Sequence, residues 1–166
     1  MAMFVHLASE SRVRLISRNG IGRLRKAVGE RPGGIFAVPV TRNFYVSHQW
    51  LRELKRSGRG GEIAGVYFRI PDDEPVWVGH YGQAHRSMTA AEAVAIFLSD
   101  DNREGYEVII PRRISPGEIH RSRTLPQVVG WRYHPNSHGK KPCGCDFCQR
   151  SQYGARKLRD EYNKSE

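Results

Sequence analysis

Cysteine is scarce in this sequence, and long apolar runs are absent. The chain of 166 residues has three cysteines and no uninterrupted stretch of about 18 apolar residues, so no membrane-spanning helix is predicted. The first 17 residues are interrupted by His6, Glu10 and Arg12, unlike the continuous apolar segment of a secretory signal. We therefore expect no membrane association, and the expected location is the cytoplasm.

Acidic residues are few relative to basic ones. The sequence has 27 Lys and Arg against 17 Asp and Glu, which gives a formal net charge of +10. Seven basic and two acidic residues fall within residues 1–31, and seven basic and four acidic residues lie from Gly139 onward. This excess favours an anionic partner, and DNA or RNA bound through the basic surface is the first candidate. The alternative is a basic surface that contributes only to solubility.

The rest of the composition is typical of a folded domain. Hydrophobic residues make up 39% of the sequence, and the length fits one domain with a short appendage. The composition changes at residues 134–139, where the strand-like pattern ends and a Cys-rich, basic segment begins. We therefore predict an α+β domain over residues 1–133 and a tail over residues 134–166.

Hydrophobic periodicity and breaker residues predict the strands of this domain. Seven strands are predicted, at residues 3–8, 35–40, 64–70, 76–81, 106–111, 119–125 and 127–133. Since only a Pro-containing turn separates the strands at 64–70 and 76–81, we expect these two strands to form a hairpin.

Three helices are predicted between the strands. The first follows Ser9 and ends at Gly20, and the second begins at Thr41 with apolar residues at a period of about 3.6. The third spans residues 90–99, because Thr89 and Glu92 have the spacing of a capping box.

The cysteines are clustered in residues 143–148 (CGCDFC). Without a secretion signal a disulfide scaffold is not expected, and thiolates this close together can share one tetrahedral zinc ion. We predict a structural zinc knuckle with the ligands Cys143, Cys145, Cys148 and His138, with His134 as the alternative fourth ligand. The other interpretation is three reduced thiols in an ordered loop, since no second C-x-x-C pair is present. The basic segment after Cys148 has helical propensity and would contribute to phosphate binding.

Three short segments carry a resemblance to a known family. His6 lies in residues 5–8 (VHLA), before a helix and Gly20; Phe36 lies in residues 34–39 (GIFAVP), and Glu107 in residues 105–111 (GYEVIIP). In order and spacing these segments resemble the ADP-ribosyltransferase fold of the diphtheria-toxin and poly(ADP-ribose) polymerase branch. The resemblance covers roughly residues 3–120. It implies an α+β fold with a split, mixed β-sheet core and flanking helices, which binds NAD in a cleft.

The resemblance also implies roles for individual residues. Glu107 would be the catalytic carboxylate, and His6, Phe36 and Tyr45 would bind NAD. The sequence has Leu7 where the family has a Gly, and Phe36 where it has a Tyr, so the ring face is kept and the hydroxyl is lost. The implied activity is NAD-dependent transfer of ADP-ribose to an anionic macromolecule, either nucleic acid or protein.

The proposed NAD ligands also have interpretations without catalysis. His6 would be a core histidine hydrogen-bonded to a backbone carbonyl, Phe36 a core residue, and Tyr45 the cover of a helix face. Alternation along its strand sends Glu107 away from the face of its two neighbours, where it would either meet solvent or line a cleft. The alternative function is a non-enzymatic, zinc-containing nucleic-acid-binding module. Four further histidines have no ligand spacing and no predicted role: His48, His80, His85 and His120.

Overall fold

The structure, a computed structural model, describes residues 1–22, 26–27, 32–56, 61–99 and 103–125. These residues contain seven strands: β1 (Ala2–Ser9), β2 (Ile35–Pro39), β3 (Ile63–Ile70), β4 (Pro75–His80), β5 (Arg86–Thr89), β6 (Tyr106–Ile110) and β7 (Ile119–Thr124). They form one sheet in the order β5-β4-β6-β2-β1-β3-β7. The α+β class is confirmed. The expectation of a mixed sheet is wrong, because each of the six pairings among these strands is antiparallel.

Four helices lie in the same part of the chain: α1 (Val13–Asn19), α2 (Phe44–Ser47), α3 (Gln49–Arg56) and α4 (Ala90–Ser99). The predicted end of the first helix at Gly20 is confirmed, since Gly20 has φ +78° and a Cβ there would lie 2.0 Å from the Ile114 carbonyl oxygen. The single helix predicted after Thr41 is instead two helices, α2 and α3, which meet at His48. None of the helices described is long and apolar enough to cross a membrane.

One face of the sheet, which we call the core face, carries the hydrophobic core. Alternation sends Phe4 of β1, Phe68 of β3 and Val108 of β6 to this face, where all three are fully buried. Ile16 of α1 and Phe97 of α4 belong to the same cluster, so both helices cover this face. The opposite face carries Glu107, and we call it the Glu107 face.

The N-terminus of α4 follows the capping-box prediction. The Thr89 backbone N–H donates to Glu92 Oε2 at 2.8 Å, and the Glu92 N–H donates to Thr89 Oγ1 at 3.3 Å. The hydrogen bond from the Thr89 backbone lowers the pKa of Glu92, with the Thr89 hydroxyl as the second cause. Further along α4, the buried Tyr106 hydroxyl donates to the Ala93 carbonyl at 2.7 Å, which fixes β6 against the helix.

The predicted hairpin between residues 64–70 and 76–81 is wrong. β3 pairs with β1 and β7, whereas β4 pairs with β5 and β6 at the other end of the sheet. The turn between β3 and β4 holds the start of α4. The backbone carbonyl oxygens of Asp72 and Glu74 accept hydrogen bonds from the N–H groups of Ala91 and Ala90, respectively. The chain therefore crosses to the far half of the sheet. The sequence did not predict β5, whose four residues are partly or largely exposed.

The two halves of the sheet meet at a short ladder. β1 and β2 pair at two positions, Phe4 with Pro39 and Val5 with Val38, whereas β1 and β3 pair from Ala2 to Ser9. Near this junction the His6 Nδ1 atom lies 2.7 Å from the Phe36 carbonyl oxygen. Beyond the two paired positions, the His6 side chain of β1 therefore still contacts the backbone of β2.

A charged cluster follows the last residue of β6. The Arg112 guanidinium donates to both carboxylate oxygens of Glu74, before β4, and to both oxygens of Glu118, in the turn before β7. Four charge-assisted hydrogen bonds from one side chain tie together three segments at this edge of the sheet.

The predictions for the C-terminal part lie outside the described residues. They are the strand at 127–133, the boundary at 134–139, and the zinc ligands Cys143, Cys145, Cys148 and His138 with its alternative His134.

Candidate active site

Glu107 lies near the middle of the sheet. It is the second residue of β6, whose side chains alternate so that Tyr106 and Val108 point to the core face and Glu107 to the opposite one. The residue is 5% exposed. The interpretation of Glu107 as a solvated strand carboxylate is therefore wrong, because the side chain is buried.

A histidine without a predicted role is the partner of this carboxylate. His85 Nε2 lies 3.0 Å from Glu107 Oε1, and the His85 side chain has no exposed area. Gly79 pairs with Glu107 across the sheet, and a Cβ at Gly79 would lie 2.9 Å from His85 Cγ. The ring therefore lies against the bare backbone of Gly79, in a space that any side chain at that position would take.

The second ring nitrogen of His85 defines the hydrogen-bond arrangement. The Nδ1 atom is buried and has no hydrogen-bond partner among the described residues. An acceptor without a partner costs less than a buried N–H without one, so we assign the proton to Nε2, which donates to Glu107. His85 thus orients one carboxylate oxygen through Nε2, while Nδ1 remains a buried acceptor without a partner among the described residues.

Two aromatic residues share the Glu107 face with this pair. Ile109 lies two positions along β6 from Glu107, and its partners in register are Phe36 of β2 and Trp77 of β4. Residues that pair across strands point to the same face, so both rings are diagonal neighbours of Glu107. Phe36 was implied by the resemblance, whereas Trp77 was not predicted.

His6 is placed differently from Glu107. The unbroken register of β1 with β3 puts His6 on the same face as Phe4, the core face, by alternation. Its Nδ1 atom is in position to donate to the Phe36 carbonyl, as the interpretation of His6 as a core histidine supposes. The structure thus brings His6 to the backbone of Phe36, and the carboxylate of Glu107 lies on the other face of the sheet.

Helix α3 holds the loop that leads into β6. Gln49 donates from Nε2 to the Arg103 carbonyl at 3.0 Å and accepts the Gly105 N–H on Oε1 at 2.7 Å. Trp50 donates from Nε1 to the Tyr106 carbonyl at 2.9 Å. These two side chains, which were not predicted, fix the backbone just before Glu107. Tyr45 lies in α2, and its side chain is outside the described part of the structure.

The sequence does contain a signal that could have found His85. A glycine inside a strand often marks the close approach of another group, and Gly79 interrupts the apolar residues of β4. Had β5 been predicted as the strand that returns along β4, the turn before it would have placed His85 near the end of β4. The four-residue length of β5 hid this connection.

The site has the parts that stabilise a positive charge. A buried, oriented carboxylate with aromatic neighbours can stabilise a cation that develops during a reaction. Within the ranges that the structure describes, no group of three or more His, Cys, Asp or Glu could hold a metal ion. Comparison of the chain with family models, curated proteins and solved structures gives no match.

Proposed function

We propose that the protein is an NAD-using ADP-ribosyltransferase with Glu107 as its catalytic carboxylate. The observation that carries the proposal is the Glu107–His85 pair. Glu107 is the one acid of β6; it is buried and held by His85, whose second ring nitrogen has no hydrogen-bond partner among the described residues. Buried polar atoms without a partner call for an explanation, and a ligand that completes the hydrogen bonds is one.

The reaction would take its chemistry from NAD. The bond between the ribose C1′ and the nicotinamide nitrogen breaks, and its electron pair leaves with nicotinamide, which becomes neutral. The sugar carries positive charge in an oxocarbenium-like transition state, as in glycoside cleavage. The C1′ atom then bonds to an oxygen or nitrogen of the acceptor, which loses a proton.

Glu107 would act on the sugar in this scheme. Its carboxylate would accept a hydrogen bond from the ribose 2′-hydroxyl and stabilise the developing charge, an effect that is strong in a buried site. His85 would hold the carboxylate so that little reorganisation is needed during the reaction. Phe36 shares the Glu107 face and would pack against the nicotinamide.

The junction between β1 and β2 also supports the proposal. The family binds NAD where its sheet is split, and the ladder between these two strands has only two paired positions. His6 lies at this junction with its side chain on the core face, hydrogen-bonded to the Phe36 carbonyl, so the proposed NAD site on the Glu107 face does not include it.

A zinc site in the tail is a separate part of the proposal. It rests on the spacing of Cys143, Cys145 and Cys148, with His138 or His134 as the fourth ligand. Elemental analysis of protein purified without added metal should give one zinc per chain. A stoichiometry near zero, with three freely titrating thiols, would refute the zinc site and leave the transferase proposal intact.

The activity is tested by incubating the purified chain with NAD and following nicotinamide release, with and without DNA, RNA or protein acceptors. NAD should also raise the melting temperature, because a ligand that binds only the native state stabilises it. If NAD changes neither the melting temperature nor the nicotinamide concentration, the transferase proposal fails. The non-enzymatic nucleic-acid-binding alternative then remains.

A further inference from the structure

The far end of the Glu107 face carries a group of exposed arginines. Arg121 and Arg123 lie on β7, where they pair in register with Tyr67 and Gly65 of β3. Arg69 lies two positions beyond Tyr67 on β3 and points to the same face. All three arginines are exposed, and we call them, together with Tyr67, the arginine face.

These arginines differ from Arg112 in having no carboxylate partner among the described residues. No ion pair involves Arg69, Arg121 or Arg123 among the residues described, whereas Arg112 binds two carboxylates. The sequences of β1, β3 and β7 contain no Asp or Glu at all. Glu10, at the end of β1, accepts a hydrogen bond from the Thr124 hydroxyl at 3.3 Å. No carboxylate of the described residues therefore neutralises the positive charge on this surface.

Tyr67 gives the arginine face a second property. The Arg121 guanidinium carbon lies 5.1 Å from the centre of the Tyr67 ring, in a cation–π contact. An aromatic ring and a guanidinium on an open strand surface are the groups on which unpaired bases stack, while neighbouring arginines bind the phosphates. A duplex hides its base faces and would make no use of the ring.

We propose that the arginine face binds single-stranded nucleic acid. Its recognition chemistry is phosphate binding by Arg69, Arg121 and Arg123, with base stacking at Tyr67. This predicts sequence-tolerant binding that weakens as salt rises. The reason is that binding releases cations from the phosphates, and this release gains less free energy when the salt concentration is already high.

The position of this surface connects it to Glu107. Tyr67 pairs with Val5, and Val5 pairs with Val38. Val38 follows Ala37, whose partner on β6 is Val108, the neighbour of Glu107. Tyr67 thus lies three strand spacings from Glu107 on the same face, roughly 14 Å at about 4.8 Å per spacing. Nucleic acid as the acceptor of ADP-ribose rests on the proposed function, whereas the binding itself does not.

The test is fluorescence anisotropy with labelled single-stranded DNA and RNA oligonucleotides of about 15 nucleotides, across a salt series and without NAD. R121Q/R123Q should weaken binding at least tenfold. It should also reduce the salt slope by about 1.4, since each contact with a single strand contributes about 0.7. The matched control is R14Q/R18Q, which removes two exposed arginines of α1, on the core-face side. It should change the affinity less than twofold.

Three more variants separate stacking and catalysis from charge. Tyr67→Leu should weaken binding about tenfold, and Tyr67→Phe should bind like the wild type, because stacking needs only the ring. Glu107→Gln should also bind like the wild type, so a failed transferase proposal leaves this result readable. Melting temperatures of all variants check that each is folded.

Three results would overturn the proposal. One is an absence of binding at about 50 mM salt. Another is an equal loss of affinity in both double variants, which would mean that binding follows total charge. The third is displacement by polyglutamate as readily as by unlabelled oligonucleotide, which would mean that the surface binds acidic protein. Binding of DNA, RNA or both supports the proposal, and the relative affinities identify the preferred strand.

Discussion

Glu118 and Glu107 are both carboxylates held by a basic side chain near β6, yet their surroundings differ in kind. Glu118 shares the Arg112 guanidinium with Glu74, and the Arg112 side chain is 38% exposed. Glu107 contacts a nitrogen of His85, a side chain with no exposed area whose other nitrogen has no partner in the described residues. The first carboxylate belongs to a partly exposed charged cluster, and the second belongs to a buried pair.

This difference indicates what each group contributes. Arg112 connects the residue before β4, the end of β6 and the turn before β7, so its hydrogen bonds support the fold. The Glu107–His85 pair connects β6 with the turn before β5, and it leaves the buried His85 Nδ1 atom without a hydrogen bond among the described residues, which costs stability. Such local cost is typical of a functional site. The predictions below test whether the two groups separate in this way.

The largest expected effect is that of Glu107→Gln on turnover. Gln keeps the shape of the side chain but removes the negative charge, so nicotinamide release from NAD should fall by on the order of 10²-fold or more. The affinity for NAD, measured by its effect on the melting temperature, should change much less. The control is Glu104→Gln, an exposed carboxylate three positions earlier. If both variants release nicotinamide as fast as the wild type, Glu107 has no catalytic role.

Gly79→Ala should give the next largest effect. The new methyl group would lie 2.9 Å from His85 Cγ and 3.0 Å from the Ala84 carbonyl oxygen, so the ring must shift and its contact with Glu107 changes. We expect a roughly tenfold loss of turnover from lost orientation and a destabilisation of about 1–3 kcal/mol, measured by denaturant unfolding. Gly117→Ala is the matched control, because a Cβ there meets no atom within 4 Å. Equal behaviour of the two variants would show that the position of His85 is unimportant.

The positions of the central strands along the chain could be predicted from the sequence, because apolar alternation and breaker residues define these strands locally. The capping box of α4 and the side of β6 to which Glu107 points were predicted in the same way. The pairing of β3 with β1 and of β4 with β6 could not be predicted, since strand pairing depends on which strand edges come together in three dimensions. His85 was missed for the same reason: its contact with Glu107 spans 22 residues and follows from the pairing of β4 with β5 and β6.

Arg112→Met tests the other side of the comparison. The variant loses four hydrogen bonds to Glu74 and Glu118 and leaves these two carboxylates close together without a cation. The side chain is partly exposed, so solvent screens the loss, and we expect a destabilisation of about 1–2 kcal/mol, or a few degrees in melting temperature. Turnover per folded molecule should not change. The exposed neighbour Arg113→Met is the control, and a selective loss of turnover in Arg112→Met would assign this cluster to the active site.

The smallest expected effect is the acid dependence of the Glu118 contribution. Hydrogen bonds from Arg112, aided by those from Ser115, lower the pKa of Glu118 from 4.5 to about 2, although partial burial acts in the opposite direction. A carboxyl whose pKa is lower in the folded state adds stability that is complete above pH 4.5 and is lost as the pH falls toward 2. Glu118→Gln lacks this titration. The difference in unfolding free energy between the wild type and Glu118→Gln should therefore be constant above pH 5 or so and shrink between about pH 4.5 and 2, as measured by denaturant unfolding over a pH series. A difference that stays constant through this range would mean that Arg112 does not hold Glu118 in its ionised form. The hydrogen bonds of Arg112 would then not support the fold in the way that the comparison with Glu107 assumes.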